Sequence, residues 1–176
     1  MLILRDTDSA VAPARRSVVT IGAYDGVHKG HRAVIAHVQA EAKRLDCQGV
    51  VVTFDRHPAS VVRPESAPKL LTDSDQKIEL LAETGIDATF IVHFDEAASK
   101  EDPSAFVKRV LVDALGAKLI VVGEDFHFGH KRGGNVAMLR ELGKQYDFDV
   151  VPMQLVPRPD GVAEPVSSTA IRRALA

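Results

Sequence analysis

Two histidines three residues apart, His28 and His31, are the first side chains in this sequence whose types and spacing could do chemistry. They end the stretch Gly22–His31, which follows a short apolar run and contains further glycines at positions 26 and 30. These glycines let a backbone approach a ligand closely. His31 falls in the first turn of the predicted next helix, where free N–H groups and the helix dipole favour anions. The pattern indicates phosphate binding, although spacing alone favours it only slightly over solvated or capping histidines.

A metal site is the alternative chemistry for these side chains. His127 and His130 repeat the three-residue spacing, so a site of four histidines is conceivable. A closed site of that composition would be unusual, because structural zinc sites normally include cysteines. Cys47 is the only cysteine, which excludes a disulfide framework and a cysteine-based zinc site.

Length and composition are those of one globular domain, which we expect to span residues 1–176. Hydrophobic residues make up 45% of the chain and charged residues 26%, which is ordinary for a folded protein. The formal net charge of -2 does not favour binding to nucleic acid or to an anionic membrane. No apolar run approaches the roughly 18–20 residues of a membrane span, and the first residues are too short and too soon charged for a signal peptide. We expect a cytoplasmic protein without a membrane segment.

Short apolar runs alternate with helical patterns along the chain. Strands are predicted at 18–21, 50–54, 88–92, 119–122 and from 149, and helices at 34–45, 72–81, 103–115, 136–142 and from 167. The strands are continuously apolar, as expected when both faces of a sheet are covered. The fold class predicted is therefore α/β, with a doubly wound, Rossmann-like parallel sheet. Ligands of such sheets bind beyond the carboxyl ends of the strands, so the loops at 22–30, 54–68, 93–103 and 123–134 are the ones to inspect.

The segment from Gly22 to His31 resembles the strand, G-x-(F/Y)-D-x-x-H-x-G-H, helix pattern of the HxGH nucleotidyltransferases. The longer string from Val18 to His28 is similar to that of bacterial FAD synthetases, in the FMN adenylyltransferase module of the bifunctional riboflavin kinase/FAD synthetase. Later segments resemble the same family in the same order. They are Thr53–Pro58, Leu115–Ala117 with Val121–Gly129, Gly134-Asn135, and Ser167–Arg172.

The resemblance implies transfer of AMP from ATP to FMN, giving FAD and pyrophosphate, with ATP and FMN as the small-molecule partners. The catalytic residues that it implies are His28, His31 and Arg172. The implied nucleotide-binding residues are Gly22, Tyr24, Asp25, Gly30, Gly123, Ser168 and Thr169. The implied FMN-binding residues are Phe54, His57, Pro58, Asp125 and Phe128. Magnesium bridging the phosphates is the implied cofactor, with Asp125 as its candidate ligand. His57-Pro58 could equally be a plain turn.

The sequence departs from the family pattern mainly on the acceptor side. Arg56 stands where the family has proline, and His127 where it has arginine. Alternatives therefore remain open: a nucleotidyltransferase using CTP or a modified flavin phosphate, a non-catalytic nucleotide- or flavin-binding module, or a redox flavoprotein. The chain stops inside the last predicted helix and lacks a riboflavin kinase motif. Riboflavin kinase activity is not predicted, and the chain is either an excised module or a stand-alone enzyme.

Overall fold

A parallel sheet forms the centre of the computed structural model, which describes residues 1–6, 15–154, 156–157, 160 and 165–176. Within these residues the sheet has six strands. They are β1 (Leu2–Arg5), β2 (Ser17–Ile21), β3 (Gln48–Phe54), β4 (Ala88–Val92), β5 (Ala117–Gly123) and β8 (Asp149–Met153). Between β5 and β8 the chain forms a separate antiparallel pair, β6 (His127–Phe128) and β7 (Gly134–Asn135).

The connecting helices begin at residues suited to cap them. The helices are α1 (Lys29–Arg44), α2 (Pro58–Val62), α3 (Ser74–Glu83), α4 (Glu96–Ser99), α5 (Pro103–Phe106), α6 (Val136–Tyr146) and α7 (Ser168–Leu175), and α5 continues as a π-helix over Val107–Ala114. Asp73 and Gln76 form a capping box at α3, and Asn135 caps α6. Such caps satisfy N–H groups that the helix itself leaves free.

The strand order is β1-β4-β3-β2-β5-β8, and every neighbouring pair is parallel. From β2 the chain builds outward through β3 and β4, and then returns to the other side of β2 with β5 and β8. The order therefore reverses between β2 and β5, which is where doubly wound sheets leave a crevice for ligands. The predicted fold class is confirmed.

Both faces of the sheet are covered, and this explains the continuously apolar strands. On one face Val19, Val52 and Ile120 pack with the π-helical segment and α6. On the opposite face Val18 and Val51 pack with α1 and α3. Neighbouring residues of each strand thus enter different halves of the core, as the two-residue period of a strand requires.

The structure differs from the sequence prediction at several elements. The edge strand β1 was not predicted, because it has only four residues and two of its apolar side chains, Leu2 and Ile3, are exposed. Residues 55–72, predicted as loop, contain α2 and a 3₁₀ turn at Pro64–Ser66. The helix predicted over 103–115 widens into π-helix, shown by the hydrogen bond from Leu115 N–H to the Val110 carbonyl. No helix among the described residues is long and apolar enough to cross a membrane.

Substituting Gly143→Ala should lower the free energy of unfolding. A Cβ at Gly143 would lie 2.3 Å from the backbone oxygen of Phe148, where the end of α6 meets the start of β8. We expect a loss of about 1–3 kcal/mol from this overpacking. Helix propensity alone would give the opposite sign, a gain of up to about 1 kcal/mol. Urea unfolding measures the difference, and Gln145→Ala on the exposed side of α6 should stay within about 0.5 kcal/mol of the parent.

Candidate active site

The two histidines of the first loop stack face to face at the start of α1. Their ring centroids are 3.6 Å apart and their planes differ by 18°. His28 is the N-cap of α1, and its Nδ1 accepts a hydrogen bond from the backbone N–H of His31 at 3.3 Å. Because Nδ1 is an acceptor, the proton of the neutral His28 ring lies on Nε2, which is left as a donor. The local fold therefore determines that this imidazole would donate to an anion through Nε2.

Burial keeps both imidazoles neutral in the absence of a ligand. It lowers the pKa of His31 to about 3, with help from His28 and against the opposing effect of Asp25. Burial also lowers the pKa of His28, which Asp25 again opposes. The Nδ1 atom of His31 is buried and has no hydrogen-bond partner among the residues that the structure describes. An anion arriving here would meet neutral hydrogen-bond donors rather than imidazolium ions.

The ring of Tyr24 packs against the histidine pair. Its ring centroid is 4.7 Å from that of His31, and its hydroxyl is hydrogen-bonded to Thr20 Oγ1 at 2.7 Å. Only 3% of the residue is exposed, so the contact that the structure shows for this predicted nucleotide-binding residue is packing in the core. Tyr24 and Val27 have φ angles of 51° and 39°, left-handed values that let the loop fold back tightly.

A buried carboxylate, Asp25, holds the loop to two distant segments. It accepts hydrogen bonds from the backbone N–H groups of Leu71 and Thr72, each at 3.0 Å, and it is paired with the guanidinium of Arg172. We call these four residues the Asp25 junction. The side chains of Asp25 and Arg172 are only 5% and 18% exposed. Burial raises the pKa of Asp25, but the bonds from Leu71 and Thr72 and the charge of Arg172 outweigh it, so the net pKa is lowered.

The terminal helix α7 docks on the same loop. Ser168 Oγ donates to the Asp25 carbonyl at 2.9 Å, and Arg172 Nε donates to the Lys69 carbonyl at 2.6 Å. A Cβ at Gly30 would lie 3.1 Å from the His28 ring and 3.4 Å from the Val166 carbonyl, so the two segments approach closely there. The structure thus places His28, His31, Ser168 and Arg172 around the loop that carries Asp25, and their roles toward a ligand stay predictions. Thr169 is exposed in the first turn of α7.

A largely apolar cavity of about 690 Å³ opens at the carboxyl ends of β2, β3, β4 and β5. Its aromatic walls are two pairs: Phe54 meets Phe94 edge to face with centroids 5.5 Å apart, and Phe126 stacks on Phe128 at the same distance. Gly22 and Pro58 also line it. The size is in the range of small-molecule pockets, and aromatic side chains offer apolar surface to a planar ring. Phe128 itself is only 8% exposed, and Phe126 belongs to the wall as well.

Two further predicted residues, His57 and Asp125, are not part of the lining of this large cavity. His57 caps α2 through a hydrogen bond from the Ala59 N–H to its Nδ1, and it lines a smaller cavity of about 170 Å³ behind Phe54. His57 therefore closes a turn and also lines the small cavity, and an FMN contact stays a prediction. Asp125 is exposed on the loop after β5, and a Cβ at Gly123 would lie 3.1 Å from its Oδ1. The described residues contain no group of three or more His, Cys, Asp or Glu side chains that could hold a metal. The four-histidine alternative therefore has no support.

Two positions near the site were missed by the sequence reading. Lys77 on α3 places its amino group at the carboxyl ends of β2 and β3. The sequence signal that could have indicated this is its position four residues before Leu81, which places Lys77 on the same face of the helix as a buried residue. His93 follows β4, and its Nδ1 lies 2.6 Å from Asp55 Oδ2. Asp55 raises the pKa of His93 by this hydrogen bond and by its charge.

The histidines should titrate in a fixed order in the ligand-free protein. We expect His93 to titrate above its ordinary value of 6.5, His28 and His57 below 6.5, and His31 only near pH 3. NMR spectra of histidine-labelled protein recorded from pH 3 to 9 measure this order. Asp55→Asn should bring His93 back toward 6.5 and leave His31 unchanged, whereas His31 titrating near 6.5 would show that burial does not control the pair.

Comparison with known proteins gives consistent matches over nearly the whole chain. A family model described as FAD synthetase matches residues 11–170. The bifunctional riboflavin kinase/FMN adenylyltransferase of Escherichia coli is 37% identical over 94% of the chain, and that of Pseudomonas fluorescens is 36% identical over 100% of it. The matches cover 52% and 55% of those two proteins, so the chain spans about half the length of these relatives.

Solved structures share the fold. A protein described as a macrolide-efflux protein from Streptococcus pneumoniae superposes with a TM-score of 0.78 and 25% identity, over 99% of this chain and 57% of that one. The pantoate–β-alanine ligase of Francisella tularensis superposes with a TM-score of 0.55 and 15% identity, over 89% of this chain and 65% of its own. The second likeness is one of fold alone.

Proposed function

Since the chain belongs to the FAD synthetase family, we propose that it transfers AMP from ATP to FMN, with FAD and pyrophosphate as products. The observation that carries the proposal is a juxtaposition. The stacked pair His28 and His31 is joined through the Asp25 junction to the N-terminal end of α7, beside a cavity with aromatic walls. The arrangement offers donors for phosphate oxygens next to a place for a planar ring. Relatives named as FMN adenylyltransferases add support.

The proposed reaction needs alignment and charge stabilisation more than proton transfer. A phosphate oxygen of FMN forms a bond to the α-phosphorus of ATP, and the bond from that phosphorus to the bridging oxygen breaks as pyrophosphate leaves. The attacking phosphate is already an anion at neutral pH, so no base has to activate it. Catalysis then depends on holding the two phosphates in line and on stabilising the charge of the transition state.

The histidines and α7 would act on different phosphates of the nucleotide. The Nε2–H of His28 is the donor available for an α-phosphoryl oxygen. Ser168, Thr169 and Arg172, in the first turns of α7, would hold the leaving pyrophosphate. Within the described residues Arg172 uses two of its five N–H donors, on Asp25 and Lys69, so three remain for phosphate oxygens. Its two protein contacts would orient this guanidinium before the nucleotide arrives.

The aromatic cavity would bind the flavin ring of FMN. Phe54, Phe126 and Phe128 provide apolar surfaces for it. The two departures from the family pattern lie at this side, His127 at the large cavity and Arg56 at the small one. The acceptor end of the site is therefore where this chain would differ from its relatives.

In this proposal magnesium would bind together with the nucleotide. An ion bound mainly by phosphates needs only one or two protein oxygens. The exposed carboxylate of Asp125, on the loop after β5, fits that requirement, and the described residues offer no larger cluster. When bound, the ion would supply positive charge to the phosphates during transfer.

Chromatography of reactions containing the purified chain, magnesium, ATP and FMN tests the proposal. We expect FAD and pyrophosphate from this mixture, and no product when riboflavin replaces FMN, because riboflavin lacks the attacking phosphate. His28→Ala and His31→Ala should each lower kcat at least about 100-fold, as loss of a transition-state donor does elsewhere. His37→Ala on the same helix serves as the control and should retain full activity.

The outcomes separate the alternatives. Product formed with CTP but not with ATP would keep nucleotidyl transfer and reject the adenylyl donor. Binding of ATP and FMN without any product would indicate a binding module instead. Flavin that stays bound through repeated turnovers would indicate a redox flavoprotein, since a transferase has to release its product.

A further inference from the structure

Lys77 joins the two loops that the proposed reaction has to align. Its Nζ donates to the Phe54 carbonyl at 2.8 Å, to Thr53 Oγ1 at 3.2 Å and to the Ala23 carbonyl at 3.4 Å. An ammonium has three donors, so these three oxygens match its capacity. Thr53 Oγ1 in turn donates to the Ala23 carbonyl at 3.0 Å, which closes a triangle of hydrogen bonds among Lys77, Thr53 and Ala23. The network spans the carboxyl ends of β2 and β3.

The two ends joined by Lys77 have different roles in the site. Ala23 begins the turn that carries Asp25 and His28, on the nucleotide side. Phe54 belongs to the aromatic wall on the acceptor side. Both Ala23 and Phe54 line the large and the small cavity, so they form part of the partition between them. Lys77 lies directly behind this partition, on the side of the small cavity.

The surroundings of Lys77 are unusual for a lysine. It is half-buried on α3, one turn before the fully buried Leu81. Burial lowers the pKa of its amino group, and the nearby carboxylates of Asp25 and Asp55 oppose this shift. An ammonium that bonds to three protein oxygens has less conformational freedom than the solvated lysines of a helix surface. The site thus contains a three-way connection at a place where the sequence shows only a helical lysine.

We propose that Lys77 is a positioning residue of the transfer site, holding the histidine loop and the Phe54 loop at a fixed separation. The inference rests on the proposed function, because alignment matters only if groups bound by the two loops react. Lys77 need not touch either substrate. Its effect would be to keep the FMN phosphate in line with the α-phosphorus, where a displacement of about 1 Å can lower a rate roughly 100-fold.

A positioning role predicts a specific split in the kinetics. Each substrate keeps its own binding groups when Lys77 is replaced, so both KM values should change little. Alignment of the two bound substrates should suffer, so kcat should fall. A residue that only stabilises the fold would instead lower the melting temperature and leave kcat unchanged in the folded protein.

The first measurement compares steady-state kinetics of Lys77→Met and Lys77→Arg with the parent chain. For Lys77→Met we expect kcat at least about tenfold lower, with KM for ATP and FMN within about threefold. Lys77→Arg keeps the charge, but its planar guanidinium cannot replace the compact ammonium, so kcat should stay at least about threefold below the parent. Lys43→Met, at an exposed lysine of α1, is the matched control and should be unchanged.

The second measurement is amide hydrogen exchange, which does not depend on activity. In Lys77→Met we expect at least about tenfold faster exchange in peptides covering residues 22–27 and 53–57. Peptides from β5 and α6 should exchange as in the parent. If Lys77→Met does not fold, Lys77→Gln replaces it, with kcat lowered at least about threefold and faster exchange in the same two peptides.

Failure of the proposed function and failure of this inference look different. A parent chain that makes no FAD would reject the proposed function, and the exchange data would then decide whether Lys77 joins the loops. Unchanged exchange in both peptides, a kcat within twofold of the parent, a rise in KM alone, or full activity of Lys77→Arg would each overturn the positioning role.

Discussion

The ion pair between Asp25 and Arg172 holds together the parts of the site that come from opposite ends of the sequence. Arg172 lies on the terminal helix, and Asp25 lies in the first loop of the sheet, 147 positions earlier. The same carboxylate accepts the N–H groups of Leu71 and Thr72, so the segment before α3 is held there too. A buried carboxylate needs such partners, since an uncompensated charge in this environment would be strongly destabilising. One side chain thus defines where three segments meet.

The sheet determines what this junction can do. Because the strand order reverses between β2 and β5, the loops after these strands face each other across a crevice. The histidine loop and α7 lie together at β2, and the aromatic walls come from the loops after β3, β4 and β5. The half that carries the histidines and α7 and the apolar half are therefore neighbours by topology. The proposed transfer, which joins two substrates, needs this arrangement.

Much of this arrangement could be predicted from the sequence. Continuous apolar strands alternating with helical patterns gave the doubly wound sheet, and the family pattern indicated His28, His31 and Arg172. The roles of these three residues stay predictions. So do the binding roles of Tyr24 and Asp25, whose contacts in the structure are with the protein itself. Sequence patterns could not show this, since burial and partner choice depend on segments far apart in the chain. For the same reason the low pKa of His31 and the three contacts of Lys77 required the structure.

A double-mutant cycle on Asp25 and Arg172 tests most directly whether their ion pair holds the segments of the site together. Asp25→Asn, Arg172→Met and the double variant are compared with the parent by urea unfolding at neutral pH. We expect a coupling free energy of about 1–3 kcal/mol, because each single change leaves a partly buried polar group without its partner. Additive effects, with a coupling below about 0.5 kcal/mol, would show that the two residues act independently and that their pair does not hold the site together.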